Sequence, residues 1–128
     1  SFIQSTQGFG GVYFDARKAG GVKLESSWSI KVAEGGLHVP HVHSKGWLSC
    51  VYYVSVPEAI EQRDVESAGF LALGRPGVAL PIDFSPSVFV QPKPGRLVVF
   101  PSYLWHETLA FVGDGERMVI AFDLLPSA

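Results

Sequence analysis

Hydrophobic and polar residues alternate over several stretches of this sequence, and the pattern predicts β-strands. Residues 24–32 show it most clearly, with Trp28, Ile30 and Val32 on one face and polar residues between them. Such alternation is typical of a strand with one buried face. Apolar runs and further alternation predict the remaining strands at 47–56, 70–73, 88–90, 97–100 and 117–125.

Turn-forming residues separate the predicted strands at fairly even spacing. Glycine and proline clusters lie at 35–36, 74–77, 92–95 and 113–115, where they favour tight turns. The acidic stretch 58–67 has no apolar stripe and predicts an exposed loop or one short helical turn. Because no segment keeps helical spacing of apolar residues over three turns, we expect an all-β sandwich or barrel with few or no helices.

The N-terminal region is the least defined part of the prediction. Glycine is frequent in residues 1–21 and weakens strand formation, so 12–14 is predicted as one short strand at most. The chain begins at Ser1 without methionine, which suits a C-terminal fragment of a longer protein. Its 128 residues show no internal repeat and fit a single domain, with 1–26 as a loosely defined N-terminal strand region.

Composition excludes several classes of protein. With 47% hydrophobic and 17% charged residues the chain is expected to be a folded globule. Its net charge of −2 gives no reason to expect nucleic-acid or membrane binding. No apolar run approaches the ~20 residues of a membrane span, and no signal peptide is recognised. The single cysteine, Cys50, cannot form an internal disulfide, so a cytoplasmic location is expected, with Cys50 as a small buried hydrophobe.

Two histidines two residues apart, His41 and His43, are the first candidate for chemistry. On an extended backbone both point to one face, ~7 Å apart, and can converge on one transition metal. His106, after the strand predicted at 97–100, is the candidate third ligand, and three protein ligands leave positions open for substrate or oxygen. His38, three residues before His41, is expected on the opposite face, at the surface or behind the ligands. Taken alone, the pair of histidines is more typical of surface or core residues.

Arg117 is the second candidate, because Val119 and Ala121 share its face of the last predicted strand and favour an inward direction. A buried guanidinium beside a metal forms a fork for a carboxylate. Together with iron and an open coordination face, this describes how a 2-oxoacid cosubstrate is held. The alternative is a surface arginine paired with Glu116 or Asp114, which would contribute little.

Residues from about 27 to 126 resemble the double-stranded β-helix (jelly-roll, cupin-like) oxygenases that use Fe(II) and 2-oxoglutarate. The resemblance includes a bacterial family whose sequences contain a GWLS-xx-YYV block and a GRLVLFPSYLWH block. These blocks stand here at 46–54 and 95–106, and 115–123 matches the family's last core strand. The order of motifs is also similar, more distantly, to that of prolyl hydroxylases.

The resemblance implies a set of site residues and a reaction. His41, His43 and His106 would hold Fe(II), and no catalytic residue beyond these ligands is implied. Arg117 would pair with the far carboxylate of the cosubstrate 2-oxoglutarate, and Tyr53 would hydrogen-bond the same carboxylate; a packing role for Tyr53 is equally open. The implied activity is hydroxylation, with O2, of an unidentified small-molecule or peptide substrate, and a homo-oligomer is compatible with it.

Two residues depart from the pattern of the relatives. His43 stands where prolyl hydroxylases have an acidic residue, so the metal is one charge unit more positive and zinc, nickel or copper become plausible occupants. Val119 stands where relatives with an R-x-S motif have a serine, so Arg117 and Tyr53 would carry more of the carboxylate binding. Two alternatives stay open: a cupin-like three-histidine metal dioxygenase without 2-oxoglutarate, and a non-catalytic β-barrel module that retains the metal.

Overall fold

The computed structural model describes residues 20–61 and 67–127. Strands account for most of the regular structure, and the strand predicted at 12–14 lies outside the described residues. In chain order the elements are β1 (Gly21–Val32), β2 (His38–His41), β3 (Leu48–Ser55), α1 (Glu58–Glu61), β4 (Leu71–Leu73), β5 (Val88–Val90), β6 (Leu97–Pro101), β7 (His106–Thr108) and β8 (Arg117–Ser127).

The strands form two four-stranded antiparallel sheets. One sheet has the order β1-β8-β3-β6 and the other has the order β2-β7-β4-β5. The two longest strands, β1 and β8, pair along their whole length and bring the two ends of the described chain together. Because all neighbouring strands except β4 and β5 are non-consecutive in the chain, the arrangement is a jelly roll. The predicted all-β, double-stranded β-helix fold is confirmed.

Helix α1 is the only helix in the described residues, and it lies in the stretch predicted as a loop or short helical turn. It has four residues, and no helix in the described part of the chain is long and apolar enough to cross a membrane. Its Ile60 is fully buried in a cluster with Val32 and Phe111. Gly69 packs so closely on this cluster that an added Cβ would lie 2.6 Å from the Ile60 Cδ1 atom. The cluster therefore needs glycine at this position.

Apolar side chains from the two sheets meet in a second cluster. Leu71 and Leu73 of β4 contact Phe100 of β6, and all three are at most 8% exposed. At roughly 1.5–3 kcal/mol for each fully buried large side chain, this cluster is a main source of the free energy that holds the sheets together. Beside it the sheets enclose a cavity, and the candidate site lies on the walls of that cavity.

Candidate metal centre

Three histidine side chains come together between the two sheets. His41 ends β2 and His106 begins β7, and the two residues are cross-strand partners. His43 follows His41 after one residue. Ligand nitrogens of the three rings lie within 4.8 Å of one another, and the ring centroids are 4.2–5.2 Å apart. The structure thus brings together the three residues that the sequence suggested as metal ligands.

Each of these rings is fixed through its Nδ1 atom. His41 and His106 donate from Nδ1 to the main-chain carbonyl oxygen two residues earlier, at 2.7 and 3.0 Å. His43 Nδ1 lies 2.8 Å from both carboxylate oxygens of Asp123. All these partners accept a hydrogen bond, so the proton sits on Nδ1 and the lone pair on Nε2. Nε2 is then free to bind a metal ion.

The protonation of His106 suits a metal ligand. Its side chain is buried, and burial lowers its pKa to about 4, because a charged imidazolium is poorly stabilised away from water. The ring is therefore neutral at pH 7, which is the form that binds metals. Three neutral imidazoles suit iron, zinc, nickel or copper ions, so the donor set fits a divalent transition metal.

The histidines share a cavity of about 330 Å³ with several other polar side chains. Both sheets contribute to its lining, and much of the wall is apolar. The polar residues that line it besides the three histidines are His38, Ser49, Tyr53, Thr108 and Arg117. A cavity with apolar walls and a few polar groups is the usual form of a small-molecule site.

Arg117 is the most unusual of these residues, because its charge is buried and forms no ion pair with any of the described residues. Only 2% of the residue is exposed. Its Nη1 donates to the main-chain oxygen of Gly69 at 2.8 Å, and its buried Nε has no hydrogen-bond partner in the part of the chain that the structure describes. Burial lowers its pKa below the usual 12.5. A desolvated and incompletely bonded guanidinium is costly, so its position on a cavity wall points to an anionic ligand.

Tyr53 also lines the cavity, while its neighbour Tyr52 does not. Tyr53 is 2% exposed and Tyr52 is 38% exposed, so the two side chains point to opposite faces of β3. Burial raises the pKa of Tyr53 to about 12, so its hydroxyl is neutral and can donate a hydrogen bond. Val119, the cross-strand partner of Tyr53, forms part of the same wall.

His38 lines the cavity as well, and the prediction that it would face away from His41 is wrong. His38 pairs with Thr108, and His41 pairs with His106. The step between these pairs is three residues on β2 but only two on β7, so β2 carries one extra residue there. This extra residue is a β-bulge, which changes the side to which the following residues point. Burial and the nearby charge of Arg117 lower the pKa of His38.

Asp123 is the site residue that the sequence did not single out. It is 5% exposed and lies on the same face of β8 as Arg117, Val119 and Ala121, in accordance with the alternation of a strand. The position was predicted to be in a strand, but its partner His43 could not be recognised without the neighbouring strands.

Glu107 is next to His106 in sequence but points away from the histidines. Its side chain is 6% exposed and forms an ion pair with Arg75. Because neighbouring residues in a strand point to opposite faces, Glu107 lies on the far side of β7 from the cavity.

Cys50 is expected to be unreactive in the folded protein. Burial raises the pKa of its thiol from 9.0 to about 11, so its thiolate fraction at pH 8 falls roughly 100-fold, and the thiolate is the reactive form. With the thiol reagent DTNB at pH 8, we expect modification in 6 M guanidinium and slow modification in buffer. Rapid labelling of the folded protein would contradict the burial of Cys50.

Comparisons with known proteins agree with this geometry. A family model described as "Putative 2OG-Fe(II) oxygenase" matches residues 26–123. No curated protein matches the sequence. An oxidoreductase of the 2OG-Fe(II) oxygenase family from Burkholderia pseudomallei aligns with a TM-score of 0.62 and 12% identity, over 82% of this chain and 45% of that one. HygX from Streptomyces hygroscopicus, solved with iron bound, aligns with a TM-score of 0.54 and 13% identity, over 83% and 59%. At these identities the likeness shows the fold, and the chain spans about half the length of the two structures.

Proposed function

The chain belongs to the 2OG-Fe(II) oxygenase family, and we propose on this basis that it is a 2-oxoglutarate-dependent Fe(II) dioxygenase that hydroxylates an unidentified substrate. The observation that carries the proposal is that one cavity has on its walls a metal-compatible histidine cluster and a buried arginine whose Nε has no partner among the described residues. A dicarboxylic 2-oxoacid has one end for each of these groups. Its keto-acid end chelates metals, and its far carboxylate suits a guanidinium.

The histidines would hold the metal. His41, His43 and His106 each present Nε2, because Nδ1 is engaged elsewhere. Three ligands leave coordination positions for the cosubstrate and for oxygen. When bound, Fe(II) and 2-oxoglutarate supply the oxidative chemistry, in which O2 is consumed, 2-oxoglutarate becomes succinate and CO2, and the substrate gains a hydroxyl group.

Arg117 and Tyr53 would bind the far carboxylate of 2-oxoglutarate. Arg117 offers its unpartnered Nε–H, and Tyr53 keeps its hydroxyl proton because its pKa is raised to about 12. An anion in this position would offset the cost of burying the guanidinium. Val119 has no hydroxyl to add, so these two side chains would share the binding of the carboxylate.

Apolar side chains would keep water out of the site. Val51, Leu71, Phe100 and Ala121 line the cavity between the polar groups. In such surroundings the attraction between a carboxylate and a guanidinium is stronger than in water. The walls therefore contribute to the proposed reaction by strengthening cosubstrate binding and by protecting the reacting groups from solvent.

The three-histidine donor set favours a second candidate, a cupin-like metal dioxygenase that needs no 2-oxoacid. In that case Arg117 would bind an anionic substrate directly. A non-catalytic module that retains the metal would have the same donor set but would show no turnover. Dependence on 2-oxoglutarate separates these functions from the first proposal.

Succinate formation by the full chain tests the proposal. The protein is incubated in air with Fe(II), ascorbate and 2-oxoglutarate, and succinate is measured, with parallel samples that lack 2-oxoglutarate or contain excess EDTA. We expect slow turnover without an added substrate and none in either control. Absence of 2-oxoglutarate binding by calorimetry, with a redox-inert metal present, would reject 2-oxoglutarate as cosubstrate and leave the two alternatives.

A further inference from the structure

The Asp123 carboxylate contacts the His43 ring through both of its oxygens. Both carboxylate oxygens lie 2.8 Å from His43 Nδ1, and the side chain of Asp123 is 7% exposed. The hydroxyl of Ser49 donates to Asp123 Oδ1 at 2.7 Å and lies 3.2 Å from His43 Nδ1. Ser49 and Asp123 are cross-strand partners on β3 and β8, so two paired interior strands hold the carboxylate against the imidazole.

A second layer of contacts fixes this arrangement. The Ser49 hydroxyl hydrogen-bonds the fully buried hydroxyl of Ser102 at 2.9 Å, and the main-chain N–H of His43 donates to the Ser102 carbonyl oxygen at 3.0 Å. At Gly46 an added Cβ would lie 2.4 Å from Ser102 Oγ and 3.2 Å from Asp123 Cβ. Glycine at position 46 therefore allows these buried polar groups to pack together.

The charge of the site explains what the carboxylate can do. A divalent ion with three neutral imidazoles keeps a charge of +2, whereas two imidazoles and one carboxylate reduce it to +1. A carboxylate that accepts the Nδ1 proton of a ligating histidine makes that ring a stronger electron donor and fixes its tautomer. With Asp123 included, the three-histidine site of this chain has a total charge of +1 as well.

We propose that Asp123 is a positioning residue that supplies, through His43, the negative charge that the metal ligands themselves lack. The proposal rests on the metal site of the proposed function and does not depend on 2-oxoglutarate. It assigns to Asp123 two effects: His43 is held with Nδ1 protonated and Nε2 free, and a divalent ion binds more tightly than three isolated imidazoles would allow. Ser49 holds the carboxylate in the orientation that this requires.

The affinity for Co(II), a stable substitute for Fe(II), tests the proposal in the full chain. Asp123→Asn keeps the size of the side chain and removes its charge. We expect Co(II) to bind about 10- to 100-fold more weakly in this variant, as is typical when the partner of a metal-binding histidine is lost. Asp114→Asn, the same change at an exposed position, is the matched control and should bind Co(II) as the wild type does.

The ring nitrogens of His43 give a second readout that a merely structural role would not change. In the metal-free protein at pH 8, ¹⁵N chemical shifts should show the Nδ1-protonated tautomer in the wild type and a mixture of tautomers in Asp123→Asn. An unchanged tautomer together with an affinity within twofold of the wild type would overturn the proposal. If Asp123→Asn does not fold, Ser49→Ala replaces it, with an expected two- to tenfold loss of Co(II) affinity; no loss would be equally decisive against the proposal.

The experiment also separates this proposal from the function on which it rests. A wild-type chain that binds no Co(II) would reject the metal-dependent function and this inference with it. If the wild type binds Co(II) and Asp123→Asn binds it with the same affinity and the same His43 tautomer, the role of Asp123 alone is rejected.

Discussion

Replacement of His106 by alanine is expected to abolish tight metal binding. The side chain supplies one of only three proposed ligand nitrogens, and its neutral ring needs no deprotonation before it binds. Loss of a group that merely supports a ligand costs 10- to 100-fold in affinity, so loss of the ligand itself should cost more than about 100-fold. Calorimetry with Co(II) measures the change, and succinate formation should disappear in the same variant.

His38→Ala is the matched control for this variant. His38 lines the same cavity but is not part of the histidine cluster in which the ligand nitrogens converge. The control should keep metal affinity close to that of the wild type. Thermal unfolding gives an independent measure, because a metal at 100 times its Kd adds about 2.7 kcal/mol to the free energy of unfolding. Stabilisation by Co(II) in His106→Ala equal to that of the wild type would place the metal elsewhere.

Replacement of Arg117 by methionine is expected to remove 2-oxoglutarate binding and to leave metal binding intact. Truncation of one partner of a buried, hydrogen-bonded charge pair costs about 2–5 kcal/mol, or roughly 30- to 4,000-fold in Kd. Methionine fills a similar volume without the charge, so the metal-free variant is relieved of a desolvated guanidinium while it loses one hydrogen bond to Gly69. Its melting temperature should therefore stay close to that of the wild type.

Two controls show whether the effect belongs to the far carboxylate. Pyruvate is a 2-oxoacid without a second carboxylate, and its binding to the metal-loaded protein should be similar in the wild type and in Arg117→Met. Arg117→Lys keeps the charge but not the fork of donors, so it should bind 2-oxoglutarate with intermediate affinity. Undiminished binding of 2-oxoglutarate by Arg117→Met would show that Arg117 does not hold the cosubstrate.

Strand alternation made much of the fold predictable from the sequence. The alternation at 24–32 gave the C-terminal part of β1, and the apolar run at 47–56 gave β3 with an error of one residue at either end. The three residues of β7 were not predicted, because a strand of that length is too short to show alternation. In the folded protein β7 is a strand because its backbone pairs with β2 and β4.

The candidate site was predictable where it depends on residues close in sequence. His41 and His43 were expected on one face because an extended chain repeats every two residues, and Arg117 was expected inside because apolar residues flank it on its own face. The position of His38 could not be predicted, because the bulge in β2 exists only relative to β7. The contact between Asp123 and His43 likewise depends on the pairing of β8 with β3, which no local pattern reveals.

The inward-facing residues of β8 fix the distance between two parts of the candidate site. Arg117 stands at one end of this row and Asp123, against His43, stands six residues further, ~20 Å away at the rise of an antiparallel strand. β8 is an interior strand, paired with β1 on one side and β3 on the other, so neither end can slide without breaking both hydrogen-bond ladders. A five-carbon 2-oxoacid is much shorter than this backbone separation, so in the proposed function the side chains of Arg117 and the ligand histidines would reach inward to meet its two ends. Because the two hydrogen-bond ladders fix where these side chains begin, backbone pairing itself would limit which lengths of cosubstrate can meet both ends.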